Sequence, residues 1–418
     1  MTAHITLNLA ATAALLLGVA VPALAQEERP GRHEGNVFIP GTSIEHSEDV
    51  GLRAHTNHKI FVGPSNRVGN EGGLGPGGGM RPDQLRQFYG VPAPSTATGP
   101  WPGQGTIVII DAYDYPTALS DFNVFSSSFG LPVESSTSAT ASSNKFFQVV
   151  YASGKVPTVN ASWGQEAALD IEWAHAMAPG AKIVLVEANS SSFADLFAAA
   201  DAAYKVAGVK QVSMSWGGSE SRSETSYESH FNKSGPIFFA SAGDSGGKVI
   251  YPSCSQFVVA AGGTSVTTNS AGGWTAESAW SSGGGGTSAY IAKPSWQAGI
   301  AGTGTRRSTP DISSDADPNT GVAVYDSTPS GGYSGWMVFG GTSVSSPCLA
   351  GMVNTNNKTY VSTTDFLTTL YKNFKATPTI FRDITTGSNH FKAGPGWDFA
   401  TGVGTPYPNP SNGLNASF

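Results

Sequence analysis

Short apolar runs alternate with helix-patterned stretches through the middle of the chain. TIVIID (106–111), FFQVVY (146–151), KIVLVEA (182–188), KQVSMSW (210–216) and PIFFASA (236–242) have strand character. EAALDIEWAHAMA (166–178), SFADLFAAADAAYKVA (192–207) and SETSYESHFNK (223–233), which lie among them, read as helices. This alternation predicts βαβ units and an α/β fold, a parallel sheet flanked by helices on both faces. In such sheets ligands gather at the carboxyl ends of the strands, so the polar residues just after each run are the ones to inspect.

The pattern differs upstream. An apolar stretch from about Leu7 to Leu24 ends in Ala23-Leu24-Ala25, which reads as a secretory signal peptide over residues 1–25, although no Lys or Arg precedes it. Residues 26–78 are polar and irregular, ending in the glycine-rich GNEGGLGPGGG, and read as a short propeptide or flexible spacer. MRPDQLRQFYGVP (80–92) reads as a short capped helix that opens the main domain, residues 79–418. After the signal no segment is long and apolar enough to span a bilayer, so no stable membrane association is expected.

Composition narrows the function classes. The 418 residues are 39% hydrophobic, enough for one large domain with a real core. Only 13% are charged and the net charge is −7, which gives no electrostatic reason to expect a nucleic-acid or anionic-membrane partner. Cys254 and Cys348 are the only cysteines, and in an exported chain they either pair or act as small buried hydrophobes. Nothing requires more than a monomer.

Ser343 follows Gly340-Gly341-Thr342 where a helical pattern begins. Glycines admit a substrate backbone and a helix N-terminus favours developing negative charge, so Ser343 reads either as an acyl-transfer nucleophile or as a helix cap. No histidine sits in the Gly-His-Gly-Thr-His context of a subtilisin base, and His175 lies inside a helical run as a structural residue. Glu166 and Asp170, four residues apart, share one helix face and would titrate as a pair. Asp244 follows an apolar strand and enters a Gly-Ser-Gly-Gly turn, either as a strand-end site residue or as a turn former. Asp111, at the end of TIVIID, reads as structural or cleft-lining, and Asp114 stays open.

Together these motifs resemble the sedolisin family of serine-carboxyl peptidases. The resemblance rests on Glu166-Ala-Ala-Leu-Asp170, Ala242-Gly243-Asp244-Ser245-Gly246 and Gly340-Gly341-Thr342-Ser343 through Pro347, in family order, and runs from about Pro82 to Pro406. It implies a subtilisin-like single catalytic domain and a secreted acid endopeptidase acting on polypeptides. Ser343 would be the nucleophile, Glu166 the base and Asp170 its hydrogen-bonded partner, with protonated Asp244 in the oxyanion hole. The stretch FRDITTGSNHFKAGPGWDFATGVGTP resembles the family's calcium loop. One structural calcium ion would be held there by Asp383 and Asp398 with the carbonyls of Ile384, Gly394 and Gly396. The family's large folded prodomain has no counterpart in residues 26–78. A noncatalytic binding or cell-surface module on the same fold is the alternative class, separated by whether acid proteolysis disappears with Ser343→Ala.

Overall fold

Residues 29–64, 74–94, 99–269, 273–356, 358–408 and 417–418 are described by a computed structural model; the signal peptide expected over residues 1–25 lies outside them. Four short strands precede the main domain: β1 (Arg32–Glu34), β2 (Val37–Ile39), β3 (His55–Thr56) and β4 (Lys59–Phe61). The described part of the segment that its polar composition marks as irregular is therefore ordered. Several of its apolar residues, among them Phe38, Ile39 and Ile60, are buried.

The main domain opens with α1 (Pro82–Tyr89), started by a proline and stopped by Gly90 at φ 67°. Then follow β5 (Thr106–Ala112), α2 (Ala118–Ser128), β6 (Phe147–Tyr151), α3 (Ala161–Met177), β7 (Lys182–Ala188), α4 (Phe193–Ala203), β8 (Val209–Met214), β9 (Trp216–Ser219) and β10 (Ile237–Ser241). The remaining elements that shape the site are β11 (Val259–Thr268), β12 (Trp274–Ala279), β13 (Ile312–Asp315), β14 (Val322–Ser330), β15 (Tyr333–Gly340), α5 (Thr342–Thr355) and α6 (Thr363–Ala376).

The central sheet has the order β12-β11-β10-β8-β5-β7-β6, with β13 also pairing β11, and every pairing except β11 with β12 is parallel. Alternate residues of β5 divide between two cores. Ile107 and Ile109 pack with residues of α3 and α5, while Val108 and Ile110 pack with residues of α4. A strand buried on both faces has no polar alternation, which is why these runs are continuously apolar.

The helix expected over 223–233 shortens to Glu224–Tyr227 followed by a single tight turn, Glu228–His230. Its glutamates turn inward instead of forming a solvated face: Glu224 accepts from Ser221 N, and Glu228 from the Tyr251 hydroxyl and Gln256 N. Cys254 and Cys348 are free and buried, and they belong to the separate cores on opposite faces of the sheet. The sheet keeps them from pairing.

Two helices carry most of the site. α3 is capped by Asn160, whose side chain accepts from Ser162 N and Trp163 N, and every residue of the helix from Ser162 to Met177 is buried. α5 crosses it closely: a Cβ at Gly351 would stand 2.5 Å from Met177 Cβ and 3.1 Å from the Ala174 carbonyl. Glycine at that position lets the two helices approach.

Candidate active site

Ser343 is the second residue of α5, immediately after Gly341 at φ +105° and Thr342. That backbone suits glycine, and a Cβ at Gly341 would also overlap the Asn57 carbonyl oxygen and Asp244 Oδ2. The absent side chain is what allows these two oxygens to meet at the N-terminus of a buried helix.

The four residues singled out as catalytic, Glu166, Asp170, Asp244 and Ser343, converge here. Ser215 joins two of them: its hydroxyl donates to Asp170 Oδ1 at 2.7 Å, and its carbonyl accepts from the Ser343 hydroxyl at 3.3 Å. Asp244 Oδ1 accepts from both the backbone N–H and the hydroxyl of Thr342, each at 2.8 Å. Asp244 Oδ2, Glu166 Oε1 and Asp170 Oδ2 are buried without a protein donor.

Burial pushes the Glu166 carboxyl well above its usual range, against contacts from the Ser343 hydroxyl and Asn57 N–H that favour its charged form. Asp170 is raised by burial and then by the charge of Glu166, with the Ser215 hydroxyl opposing. Asp244 is pushed up to about 6 by burial, opposed by Lys59, the two Thr342 donors and His58. Such groups hold protons that ordinary carboxylates release, and a protonated carboxyl can donate.

Asp111, the last residue but one of β5, has both oxygens buried and unpartnered. Burial raises it, followed by the charges of Asp170, Glu166 and Glu187. Asp114 is partly exposed. His175 is a structural core residue: a ring nitrogen pairs with the Pro132 carbonyl at 2.9 Å, the ring lies 4.6 Å from that of Phe122, and burial lowers it to about 3.

Sequence reasoning missed the N-terminal segment that fills the cleft. Asn57 N lies 3.2 Å from both the Ser215 carbonyl and Glu166 Oε2, and the Asn57 carbonyl accepts from Ser343 N at 3.1 Å. Its side-chain amide donates to Ser241 Oγ at 2.7 Å. His58 Nδ1 is 2.9 Å from Glu166 Oε2, and burial lowers the imidazole to about 4, so burial favours the neutral forms of both partners. Lys59 Nζ donates to the Asp244 carbonyl at 3.1 Å and lies 5.0 Å from the centre of a Trp280 ring. The run Lys59-Ile60-Phe61-Val62 was the available signal, hidden in a polar stretch. Ser215 was discoverable as the polar residue just past the KQVSM strand.

In the glycine-rich C-terminal loop, four of the five residues expected to bind calcium are joined in two pairs by main-chain donors. Asp383 Oδ2 accepts from Gly396 N at 3.0 Å, and Asp398 accepts from Gly394 N, Ala400 N and Thr401 N at 2.8–2.9 Å. Side chains at Gly394 and Gly396 would meet nothing within 4 Å, so space remains beside the carboxylates. Hard oxygen donors around open space fit a calcium ion.

The subtilase family profile matches residues 161–355, the stretch from α3 through α5. Kumamolisin from Bacillus sp. (strain MN-32) is 34% identical over 279 residues, covering 58% of this chain and 49% of that protein. Sedolisin from Pseudomonas sp. (strain 101) is 35% identical over 178 residues, covering 38% of this chain and 28% of that protein. The chain thus spans half or less of the length of these curated relatives. Among solved structures, Pseudomonas sedolisin, a serine-carboxyl proteinase complexed with two molecules of pseudo-iodotyrostatin, superimposes with a TM-score of 0.63 at 27% identity. That match covers 78% of this chain and 95% of the other. The subtilisin-like parallel sheet and these relatives together support the sedolisin family.

Proposed function

We propose that the chain is a secreted, acid-active serine endopeptidase that hydrolyses polypeptides through Ser343, Glu166 and Asp170. The observation that carries this reading is the meeting of Ser343 N, Asp244 Oδ2 and a peptide carbonyl at Gly341, beside Glu166. Endopeptidase action follows from a cleft through which a chain both enters and leaves.

Ser343 Oγ attacks the substrate carbonyl carbon while Glu166 accepts its proton and passes it to the leaving amine. Asp170, held by the Ser215 hydroxyl, shares a proton with Glu166 and keeps the pair from carrying two charges. Ser343 N and protonated Asp244 donate to the oxyanion. An ionised Asp244 would repel it, so turnover requires pH below the Asp244 value of about 6. A calcium ion held by Asp383, Asp398 and the carbonyls of Ile384, Gly394 and Gly396 would stabilise the C-terminal loop.

The test is the rate of cleavage of a denatured protein from pH 2 to 8 by the purified chain and by Ser343→Ala. Serine-dependent activity confined to acid is expected. Absence of serine-dependent cleavage at every pH, from protein whose cleft has been cleared of residues 55–61, would favour the noncatalytic binding module.

A further inference from the structure

The base assigned above meets an obstacle: Glu166 must be ionised to take a proton from Ser343 in acid, yet burial favours its neutral form. A row of polar side chains lies behind it. Asp111 of β5 is the register partner of Glu187 of β7, which is in turn the partner of Tyr151 of β6. Ser215 follows Met214, the β8 partner of Ile110, and continues the row on the other side of Asp111. Paired strands lie about 4.8 Å apart and opposed side chains share a face, so the four residues run side by side across the carboxyl end of the sheet. Their face is the one that α3 covers, because Ile107, Ile109, Ile183 and Leu185, in the same alternation, share a core with α3 residues. Ser215 already touches Asp170 on that helix.

The row holds more carboxyl oxygens than donors. Asp111 Oδ1 and Oδ2 and Glu187 Oε2 are buried without a partner, and Glu187 Oε1 accepts from Tyr115 N at 3.2 Å. Glu187 is faced by Asp111 from β5, by Asp114 from the turn after it, and by Tyr151 from β6. Its contact with the partly exposed Asp114 is carboxyl to carboxyl, which needs a proton. Asp111 is faced by Glu166 and Asp170 from α3, and around Glu166 stand His58 and Asp244, with Lys59 beyond. Burial pushes Glu187 up to about 9, opposed by the Tyr115 N–H and helped by Asp114, so it keeps its proton throughout the acid range.

We propose that Glu187 is a positioning residue for the catalytic carboxyls: protonated, it donates to Asp111, Asp111 donates to Asp170, and Asp170 donates to Glu166, which keeps the base ionised in acid. This rests on the peptidase reading above. The four carboxyls share three protons and one negative charge, and the charge sits at the end that touches Ser343. Each donor favours the charged form of the group that accepts from it, so losing the donor farthest from Ser343 raises the pH at which Glu166 ionises.

The test is kcat from pH 2 to 8 on a denatured protein, for the purified chain, Glu187→Leu and Glu187→Gln. Glu187→Leu cannot donate and should move the acid limb upward by about half to one pH unit, the size of one neutral hydrogen bond. Glu187→Gln, whose amide donates to Asp111, should recover most of that shift. The alkaline limb, assigned to Asp244, should stay in place in both. A Leu variant whose kcat falls by one factor at every pH, with the acid limb unmoved, has a structural role alone; that result overturns the proposal and leaves the peptidase reading standing. A second measurement needs neither turnover nor the Leu variant. In Ser343→Ala protein at pH 7, adding Glu187→Gln should remove one protonated-carboxyl stretching band from the infrared spectrum. An unchanged spectrum means that Glu187 holds no proton to donate and overturns the proposal. No serine-dependent cleavage at any pH overturns the peptidase reading, and the proposal with it.

Discussion

Asp244 offers a direct measurement of the chemistry assigned to the oxyanion hole. Asp244→Asn, made in a Ser343→Ala background to prevent self-digestion, keeps the side-chain shape and removes the titration. The wild-type carboxyl is fully buried and displaced from an ordinary 3.8 to about 6, which corresponds to about 3 kcal/mol at about 1.36 kcal/mol per pKa unit. The folded value lies above the unfolded one. The stabilisation is therefore fully present below about 3.8 and lost as pH rises through about 6. Urea denaturation of Ser343→Ala and of the double variant at pH 3 and pH 7 forms a cycle in which other titrating groups cancel. The Ser343→Ala protein, which retains Asp244, should lose about 3 kcal/mol more than the double variant between these pH values. Equal pH dependence in the two would refute the elevated pKa, and with it the account of why acid favours turnover.

In the Ser343-containing enzyme, Asp244→Asn should move the alkaline limb of the pH–rate profile upward, because an amide donates at any pH. Glu166→Gln removes the proposed base and should lower kcat by about 10²–10⁴-fold with folding unchanged by circular dichroism. Chelation with EGTA should lower the melting temperature by several degrees, and Asp398→Asn should be insensitive to it, as differential scanning fluorimetry would reveal. Gly351→Ala places a methyl group against Met177 and should destabilise by about 1–3 kcal/mol in chemical denaturation, with kcat falling as α3 shifts relative to Ser343.

The central sheet was legible in the sequence because its strands are buried on both faces and read as unbroken apolar runs. Glu166 and Asp170 were legible as a pair through helical spacing. Ser343 and Asp244 could be read only as alternatives until the motifs were taken together, since a serine before a helix and an aspartate in a glycine turn have ordinary structural uses. Asn57, His58 and Lys59 stayed hidden for a different reason. The strands on either side of Asn57 and His58 are two and three residues long, and their order comes from pairing with β9 and β15, distant in the chain. Local pattern carries no trace of such partners. The same limit explains 223–233, where the inward-facing glutamates make contacts that the local helix pattern does not record.

β4 lies between β2 and β15, pairing with both. Its withdrawal would turn β15 into a sheet edge, with unpaired N–H and C=O groups along Val338–Gly340. Such an edge binds any extended backbone by strand addition and reads little of its side chains. Residues that follow a scissile bond would then be held by main-chain hydrogen bonds with broad tolerance, leaving discrimination to the β9 side. The exposed edge would also be open to pairing with other copies of the chain, making β15 a place where aggregation could begin after N-terminal loss.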